Sequence, residues 1–397
     1  MKKILFLGAA ASQVPAIKYA QSKGLIVYTT DNIPTNPGHF LANKSFNVST
    51  VDKENILKLA SELQIDAISA YASDPSAQTA AYISEKLGLA GNRYQTIEIL
   101  TNKHLFREFL KKNNYLTPSY YTSSTKDKIL DKINKNKKYI LKPVDSSGSK
   151  GVFIVNDKKD LEIYFESSIS YSRSKEVILE EYINRKGPQI HGEGFVYDGK
   201  LLFLSMGDQY FSFINNVVPF STLMPSYYHK NIFDSVFQLL QKFINDVNFT
   251  IGGFNFEIIR STDDKLYLLE FGPRNGGNFM PQLVRYVYGV DLVAASIDAL
   301  FPGFKIENLV DRHFNIDKYF SQIIIHAERD GHLKEYVGNF PGVKIVEQNL
   351  YKNSGDWVSH YRNSRDVVGV YILQILDRNI LADYLSFLKK NKFIKLI

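Results

Sequence analysis

Two acidic residues interrupt apolar segments of the chain and are the strongest candidates for chemistry. Glu257 stands in "GGFNFEII" and Glu270 in "LYLLEF", and both segments are typical of β-strands. A buried carboxylate without a partner costs several kcal/mol, so each of these residues needs a cation. If the turn "STDD" at 261–264 closes a hairpin, residue 255 faces residue 270. Glu257 would then lie diagonally beside Glu270 on the same face of the sheet.

Two carboxylates in this arrangement predict a site for a divalent cation. The segments around them contain no Cys or His, and carboxylate oxygens are hard ligands that suit Mg²⁺ or Mn²⁺ bridging nucleotide phosphates. A pair of structural salt bridges is the alternative. Glu257 and Glu270 are therefore the predicted metal ligands.

A basic, glycine-rich segment follows the second glutamate. In "GPRNGG", Arg274 could neutralise charge on a phosphoryl group during transfer. Gly276 and Gly277 could turn their N–H groups toward an anionic substrate. The alternative is an arginine that serves only to pair with an acidic residue at a neighbouring helix.

The segment "ILKPVDSSGSKGV" at 140–152 has the features of a phosphate-binding loop. Lys142 ends an apolar strand, and the serines and glycines after it can turn several N–H groups and hydroxyls toward one point. It is not a Walker loop, because no GK[ST] opens a helix. The loop instead joins two strands and would cover the phosphates as a flap. An ordinary β-turn is the alternative.

Length and composition restrict the class of protein. A chain of 397 residues suits two or three domains, and 44% apolar with 22% charged residues is typical of a folded protein. The absence of cysteine excludes disulfides, thiolate metal sites and a cysteine nucleophile. The net charge is +7, but we interpret the single basic cluster, 132–138, as a solvated loop rather than a nucleic-acid site. No apolar run reaches the roughly eighteen residues of a membrane span.

The first 92 residues or so alternate short apolar runs with helical stretches. This alternation predicts a parallel sheet wrapped by helices, with ligands beyond the carboxyl ends of the strands, near Gly8, Asp31 and the loop 71–78. Asp31 and Asp74 could equally cap helices or turns. The first turn, "GAAASQ", lacks the G-x-G-x-x-G fingerprint, which disfavours a nicotinamide oxidoreductase.

Two further units follow. An amphipathic helix at 101–114 precedes a lid at 115–183, in which two strands flank the serine-glycine loop and are followed by a helix and the strand "EVILEEYI". The elements predicted after the lid are a hairpin through Asp198-Gly199, a helix at 228–247, the strands of the two glutamates, a helical region at 279–300, and, from 311 onward, strands such as "QIIIHAE" and "GVYILQIL" with a closing helix.

The order and spacing of these motifs resemble the ATP-grasp superfamily over essentially the whole chain. The similarity is to its carboxylate-amine ligase branch, with biotin carboxylase and the large subunit of carbamoyl-phosphate synthase. The resemblance implies a mixed α/β and α+β fold, in which a two-part ATP-grasp unit holds ATP between its subdomains. The implied units are a pre-ATP-grasp (Rossmann-like) parallel αβ domain at 1–95, a linking helix at 96–114, a lid subdomain at 115–183, a large subdomain with the metal site at 184–310, and a C-terminal extension completing it at 311–397.

The resemblance also implies roles for the residues of the phosphate site. Lys103 and Lys142 take the two phosphate-binding lysine positions, and Lys142 and Arg274 are the implied catalytic residues. Glu257 and Glu270 match the metal carboxylates. The flexible loop is represented by Ser146, Ser147, Gly148, Ser149 and Gly151.

The segment "LEEYI" matches the adenine-binding hinge of the superfamily. The backbones of Glu181 and Ile183 would meet the base edge, with Glu180 beside the amino group. Two departures stand out: Gln189 replaces the usual ribose-binding glutamate, and Gly272 replaces a metal-binding asparagine. Gln189 can still hydrogen-bond a ribose, and water could replace the missing asparagine oxygen.

The implied protein is a cytoplasmic ligase that binds ATP with Mg²⁺ or Mn²⁺, activates a carboxylate as an acyl phosphate and joins it to an amine. Its expected partners are these small-molecule substrates, without nucleic acid or membrane, and a homodimer is left open. The alternatives are a purine-pathway or carbamoyl-phosphate-like ligase, and a nucleotide-binding regulatory protein without turnover.

Overall fold

The N-terminal unit is a parallel sheet. The computed structural model describes residues 1–212, 214–304, 309 and 318–397. Four strands run in parallel in the order β3-β2-β1-β4, which confirms the predicted alternation of strands and helices. The elements are β1 (Lys3–Leu7), α1 (Val14–Ser22), β2 (Ile26–Thr30), β3 (Lys44–Phe46), α2 (Lys53–Leu63), β4 (Ala67–Ser69) and α3 (Asp74–Leu87), with short 3-10 helices at Ala11–Gln13 and Pro37–Phe40.

Two short helices connect this sheet to the rest of the chain: α4 (Tyr94–Thr101) and α5 (Lys103–Lys112). The predicted helix at 101–114 is thus confirmed, with its start at Lys103. The Asn102 side chain accepts hydrogen bonds from the N–H groups of His104 and Leu105, at 3.0 and 3.2 Å, and so caps the helix.

The lid contains an antiparallel sheet with strand order β5-β8-β6-β7. Leu141, Leu161 and Leu179 form its buried core, so the helix α7 packs on the strands that flank the serine-glycine loop. The elements are β5 (Tyr120–Ser123), α6 (Lys126–Leu130), β6 (Tyr139–Pro143), β7 (Phe153–Val155), α7 (Lys158–Ser170) and β8 (Val177–Glu181).

The second half of the chain builds a mostly antiparallel sheet, called here the large sheet, in the order β14-β13-β9-β11-β12-β15-β19-β17, with β10 on β9. Its strands are β9 (Gln189–Tyr197), β10 (Lys200–Leu204), β11 (Gly207–Phe211), β12 (Pro219–Met224), β13 (Ile251–Arg260), β14 (Leu266–Gly272), β15 (Tyr319–Ile325), β17 (Val343–Leu350) and β19 (Gly369–Ile375).

Helices cover this sheet, and a small sheet follows it in the C-terminal part. The predicted helix at 228–247 is α8 (Lys230–Val247), and the helical region at 279–300 is two helices, α9 (Met280–Tyr288) and α10 (Leu292–Asp298). The predicted boundary at 310/311 lies outside the described residues. The remaining elements are β16 (Gly331–Tyr336), β18 (Trp357–Val358), α11 (Arg378–Ala382), α12 (Tyr384–Lys390) and β20 (Ile394–Leu396).

Two features of the C-terminal part bear on the prediction. The strands predicted around "QIIIHAE" and "GVYILQIL" are confirmed and extend the large sheet. The predicted closing helix is present as α12, but β20 follows it and pairs with β16. No helix in the described part of the chain combines the length and apolar character needed to cross a membrane.

The two faces of the large sheet differ in character. Phe254 and Phe256 on β13 pack into the apolar core under α8, whereas the alternate residue Glu257 faces the opposite side. On the neighbouring strand, Gly192 and Gly194 stand opposite these rings, and a Cβ there would lie 2.8 and 2.2 Å from a ring atom. Because these glycines have no side chains, Phe254 and Phe256 can pack close to β9. The polar residues of β13, which alternate with the two rings, therefore face away from α8.

The register predicted for the β13–β14 hairpin is wrong. Glu257 lies directly opposite Glu270, and Asn255 faces Gly272. The register shifts after Glu257 because Leu269 is an extra residue in β14, a β-bulge that the turn length alone did not reveal. The two carboxylates are therefore nearer neighbours than the sequence indicated.

The β9–β10 turn allows a direct test of the fold. Asp198 and Gly199 have φ of +55° and +73°, as the predicted Asp-Gly hairpin requires. Gly199→Ala should lower the free energy of unfolding by about 1 kcal/mol, because alanine disfavours this backbone region and gains no contact. Urea denaturation measures the change, with the exposed neighbour Lys200→Ala as the control. Equal stability of the two variants would contradict the turn geometry.

Candidate active site

A cleft of about 290 Å³ lies between the lid and the polar face of the large sheet. It brings together thirteen of the fourteen predicted site residues, although the elements that carry them are spread over half of the chain. These residues are Lys103, Lys142, Ser146, Ser147, Gly148, Ser149, Glu180, Glu181, Ile183, Gln189, Glu257, Glu270 and Arg274.

Gly151 is the residue that does not line the cleft. It is buried at the base of the loop, where a Cβ would lie 2.9 Å from the ring of Tyr171 and 3.0 Å from Pro143. The expected contact of Gly151 with phosphate is therefore not supported by its position. Its lack of a side chain serves packing between the loop and α7.

The serine-glycine loop is anchored on both sides of its base. The Asp145 carboxylate accepts hydrogen bonds from the Ser172 hydroxyl and from the N–H groups of Arg173 and Ser174, at 2.9 to 3.0 Å. The Lys103 ammonium donates to the Ser146 carbonyl. The loop thus has a fixed start, with two lysines of the predicted phosphate site beside it.

The tip of the loop contacts the opposite wall of the cleft. The Ser149 hydroxyl donates to the Val217 carbonyl at 2.9 Å, and the Ser364 N–H donates to the Gly148 carbonyl at 3.1 Å. These contacts join the lid to the segment before β12 and to the C-terminal part. The loop therefore covers the cleft, as the flap interpretation predicted.

A buried ion triad, Arg107–Glu180–Lys142, forms one wall of the cleft. Arg107 donates to Glu180 through Nε at 3.0 Å and Nη2 at 3.3 Å, and the Lys142 ammonium lies 2.7 Å from the same carboxylate. Burial alone would raise the pKa of Glu180, but the two cations outweigh it and lower the pKa to about 2. Glu180 is therefore an anion that holds Lys142 in place, and its expected contact with the adenine amino group stays a prediction.

Arg107 also contacts the large sheet. Its Nη2 donates to the carbonyl of Leu269 at 2.9 Å, and Leu269 is the bulge residue next to Glu270. The Arg107 side chain thus links the lid strand β8 with the strand that carries a predicted metal ligand. The sequence gives no sign of this role, because an arginine within an amphipathic helix is usually solvent-exposed.

The hinge between the lid and the large sheet follows β8. The Glu181 N–H already donates to the Ser119 carbonyl at 2.8 Å, and the Glu181 carboxylate pairs with the exposed Lys137 at 3.0 Å. Because the Glu181 N–H is already used in this hydrogen bond, only the Glu181 carbonyl could make the predicted backbone contact with a base. Ile183 lines the cleft, consistent with the second predicted contact.

Glu257 and Glu270 face each other across β13 and β14 at the centre of the cleft. Burial raises the pKa of Glu257 to about 7, and repulsion from Glu270 adds to the shift. Among the described residues there is no cluster of three or more acidic, His or Cys side chains that could hold a metal. Two carboxylates that repel each other are nevertheless a site for a cation with further oxygen ligands.

Asn255 stands where a side chain at position 272 would be. A Cβ on Gly272 would lie 2.5 Å from the Asn255 Nδ2, so the Asn255 amide fills that space. Its Nδ2 donates to the Arg274 carbonyl at 3.0 Å, and the residue lines the cleft on the same face as Glu257. Because Nδ2 is used in this hydrogen bond, the Oδ1 of Asn255 is an amide oxygen that could serve as a further metal ligand beside the two carboxylates.

Arg274 is paired with an acidic residue of the N-terminal unit. Its Nη2 donates to the Asp74 carboxylate, and its Nη1 donates to the Asn275 carbonyl at 3.1 Å. The buried Nε has no hydrogen-bond partner in the described part of the chain. Arg274 thus pairs with an acidic residue at a neighbouring helix, as the alternative interpretation predicted. Its Nε remains a donor that this pairing does not use.

The N-terminal unit contributes one of its three predicted loops to the cleft. Asp74 reaches the cleft from the loop 71–78. Gly8 and Asp31 do not line it. Asp31 accepts from the N–H groups of Ala9 and Ile33 at 3.3 and 3.1 Å, which agrees with the turn-capping alternative.

The glycine segment after Arg274 is held by a buried glutamate. The Gly276 N–H donates to Glu193 at 2.7 Å, and Asn275 Nδ2 donates to the same carboxyl group at 3.2 Å. Burial raises the pKa of Glu193 to about 8 in spite of these donors. The Gly276 N–H is therefore not available to a substrate, contrary to the prediction, whereas Gly277 is half-buried and lines the cleft.

Residues 100–278 match the ATP-grasp domain family. The formate-dependent phosphoribosylglycinamide formyltransferase of Prochlorococcus marinus is 28% identical over 188 residues, which cover 46% of this chain and 48% of that protein. The chain thus matches about half the length of this curated relative.

Solved structures match over nearly the full length. The L-amino acid ligase from Bacillus licheniformis has a TM-score of 0.80 at 17% identity, covering 100% of this chain and 99% of that chain. The biotin carboxylase domain of Hydrogenobacter thermophilus 2-oxoglutarate carboxylase, solved with MgADP and bicarbonate, has a TM-score of 0.70 at 18% identity, covering 99% and 91%. These likenesses establish the mixed fold of an N-terminal parallel sheet followed by an ATP-grasp unit.

Glu257→Gln should abolish most of the stabilisation that Mg²⁺ gives to the protein. A divalent ion relieves the repulsion between the paired carboxylates in the wild type, whereas the variant keeps one carboxylate only. Melting temperature across a MgCl₂ titration measures the effect. The control is Glu335→Gln, an exposed glutamate paired with Lys395, which should respond as the wild type. An unchanged Mg²⁺ response in Glu257→Gln would contradict the metal assignment.

Glu193 should make stability fall as pH rises. Its folded pKa is raised to about 8 from 4.5, so between these values the folded state holds a proton that the unfolded state has released. The contribution is full below pH 4.5 and is lost as pH rises toward 8. Urea unfolding of Glu193→Gln should show a shallower pH slope than the wild type, by up to about 1.4 kcal/mol per pH unit. Parallel slopes would show that Glu193 does not titrate in this way.

Proposed function

We propose that this chain, whose residues 100–278 match the ATP-grasp domain family, is an ATP-dependent ligase that activates a carboxylate as an acyl phosphate and joins it to an amine, releasing ADP and phosphate. One observation carries the proposal: Glu257 and Glu270 face each other in a cleft that also presents Lys103, Lys142 and Arg274. Two acidic residues opposed by three cations suit a metal-bound triphosphate.

The nucleotide base would lie at the hinge end of the cleft. Ile140, Ile154 and Ile259 line this end and offer apolar surface to a planar ring. The Glu181 carbonyl and the Ile183 N–H would meet the base edge. Gln189, which donates to Gln209 at 2.8 Å, would present its remaining amide groups to the ribose.

Glu257 and Glu270 would hold Mg²⁺ or Mn²⁺, with Asn255 Oδ1 as a third oxygen ligand. Bound there, the ion would neutralise charge on the β- and γ-phosphates. Lys142 adds a fixed positive charge because Glu180 and Arg107 hold it on the lid side. The asparagine absent at position 272 would thus be replaced by Asn255 from the facing strand.

In the first step, a substrate carboxylate oxygen forms a bond to the γ-phosphorus while the bond to the bridging oxygen of ADP breaks. Arg274, with its unused Nε, would stabilise the charge on the transferring group. In the second step, the amine forms the C–N bond and phosphate leaves. The Gly277 N–H would stabilise the oxyanion of this step.

The serine-glycine loop would exclude water from the acyl phosphate. Its contacts with Val217 and Ser364 close the cleft on the side away from the hinge. Hydrolysis would otherwise waste the intermediate. Substrates would then enter and leave only when these two hydrogen bonds open.

A nucleotide-binding protein without turnover is the second candidate. The Arg274–Asp74 pair favours it, because an arginine engaged by a carboxylate has less charge to offer a phosphoryl group. An anionic substrate that displaces Asp74 would restore this charge. A purine-pathway or carbamoyl-phosphate-like ligase would use the same nucleotide chemistry with a different acid.

ADP release in the presence of pooled carboxylates and amines tests the proposal. Glu270→Gln and Arg274→Lys should each lower turnover by about 10²-fold or more, because both residues act on the transferring phosphoryl group. Calorimetry with ATP should show that the variants still bind nucleotide. Glu335→Gln and Arg285→Lys, which are exposed and outside the cleft, are the matched controls. Wild-type turnover in either site variant would refute the assignment.

A further inference from the structure

Four polar residues form a row across the large sheet beside the carboxylate pair. Gln189 on β9 pairs with Gln209 on β11, Gln209 with Thr222 on β12, and Thr222 with Gln322 on β15. Direct cross-strand partners lie on the same face of a sheet, and all four line the cleft. We call this set the polar row.

The polar row is buried, although it interrupts an apolar sheet. Its members are between 1% and 5% exposed, and their neighbours in sequence, such as Ile190, Leu223 and Ile323, are buried apolar residues. Burying polar groups is unfavourable unless they are hydrogen-bonded. The row therefore needs partners, either within the protein or in a bound molecule.

Only part of the hydrogen-bonding capacity of the row is used internally. Gln189 donates to Gln209 at 2.8 Å and is also hydrogen-bonded to the Glu257 carboxylate, and Gln322 donates to the Asn278 carbonyl. For the Thr222 hydroxyl, the described residues provide no partner. His191, on the same face as Gln189, has a buried Nδ1 that also lacks a partner among them. Unused polar groups thus face the cleft.

The strands carry no charged side chain beside Thr222 and Gln322. The residues two positions away that share their face are Met224, Phe320 and Ile324, all of them apolar. The cleft wall here is completed by Val217, Pro219 and Met280. A charged group placed here would meet no charged side chain on β12 or β15, whereas a neutral polar group would meet the hydrogen-bonding side chains of Thr222 and Gln322.

This end of the row is also close to the reacting centre along the chain. Gln322 donates a hydrogen bond to the carbonyl of Asn278, which directly follows the cleft-lining Gly277. An acid whose carboxylate lies at Arg274 and Gly277 would therefore extend its other end over Gln322 and Thr222.

We propose that Thr222 and Gln322, at the end of the polar row away from Gln189, bind the non-reacting end of the acid substrate and select a neutral hydrogen-bonding group there, such as a carboxamide or hydroxyl. This inference rests on the proposed ligase function. An aliphatic end would leave the buried Thr222 hydroxyl unpaired, which is unfavourable. An ionised end would be desolvated beside strands that carry no charged side chain at this point.

Three acids of matched length and shape test the selection: glutaramate, glutarate and 5-methylhexanoate, which end in a carboxamide, a carboxylate and an isopropyl group. Calorimetry measures their binding with MgCl₂, in the presence and absence of a non-hydrolysable ATP analogue. Glutaramate should bind at least about tenfold more tightly than either of the others.

Thr222→Val should weaken glutaramate binding by about tenfold and leave 5-methylhexanoate binding unchanged or tighter. The matched control is Thr79→Val, a buried threonine of α3 that does not line the cleft. Circular dichroism confirms that each variant is folded.

Equal binding of the three acids, tighter binding of glutarate or 5-methylhexanoate, or no binding of any acid would overturn the inference. A Thr222→Val variant with wild-type selectivity would do so as well. Failure of the proposed function is a separate result, namely the absence of ADP release with every acid and amine although acids bind selectively.

Discussion

The repulsion between Glu257 and Glu270 is the constraint on which the rest of the site depends. Two half-buried carboxylates on facing residues are unfavourable unless a proton or cation lies between them, and the raised pKa of Glu257 reflects its burial and this repulsion. The surrounding structure supplies positive charge without neutralising the pair directly. Lys142 is held by Glu180 and Arg274 by Asp74, so the carboxylates stay available to a metal. The cleft is thus arranged for a ligand that brings a cation together with several negative charges.

The same arrangement couples the lid to the large sheet. Arg107 bonds to Glu180 on the lid and to Leu269 on the metal-bearing hairpin, while Ser149 and Ser364 close the opposite side. A bulge at Leu269 directs that carbonyl toward Arg107 and also places Glu257 opposite Glu270. One irregular residue therefore serves both the position of the carboxylates and the attachment of the lid.

Much of this could be predicted from the sequence, because strand periodicity and turn residues are local signals. The Asp198-Gly199 hairpin, the helix α8 and the glutamates within apolar strands are such cases. The predicted register of the β13–β14 hairpin was wrong because no residue type in the sequence indicates the position of the bulge. The sequence did not predict roles for Arg107, Glu193 and the polar row. These roles depend on pairing between residues far apart in the chain, such as Thr222 with Gln322. The contacts of Gly151 and the engaged N–H of Gly276 likewise depend on packing that only the folded chain reveals.

The most direct test of the central claim is a crystal structure with a non-hydrolysable ATP analogue and Mn²⁺, in which anomalous scattering locates the ion. We predict that Mn²⁺ is bound by carboxylate oxygens of both Glu257 and Glu270 and by the triphosphate, and that the Lys142 ammonium contacts the phosphates. Carboxylates that turn away from each other to pair with basic neighbours, with the ion elsewhere or absent, would contradict it.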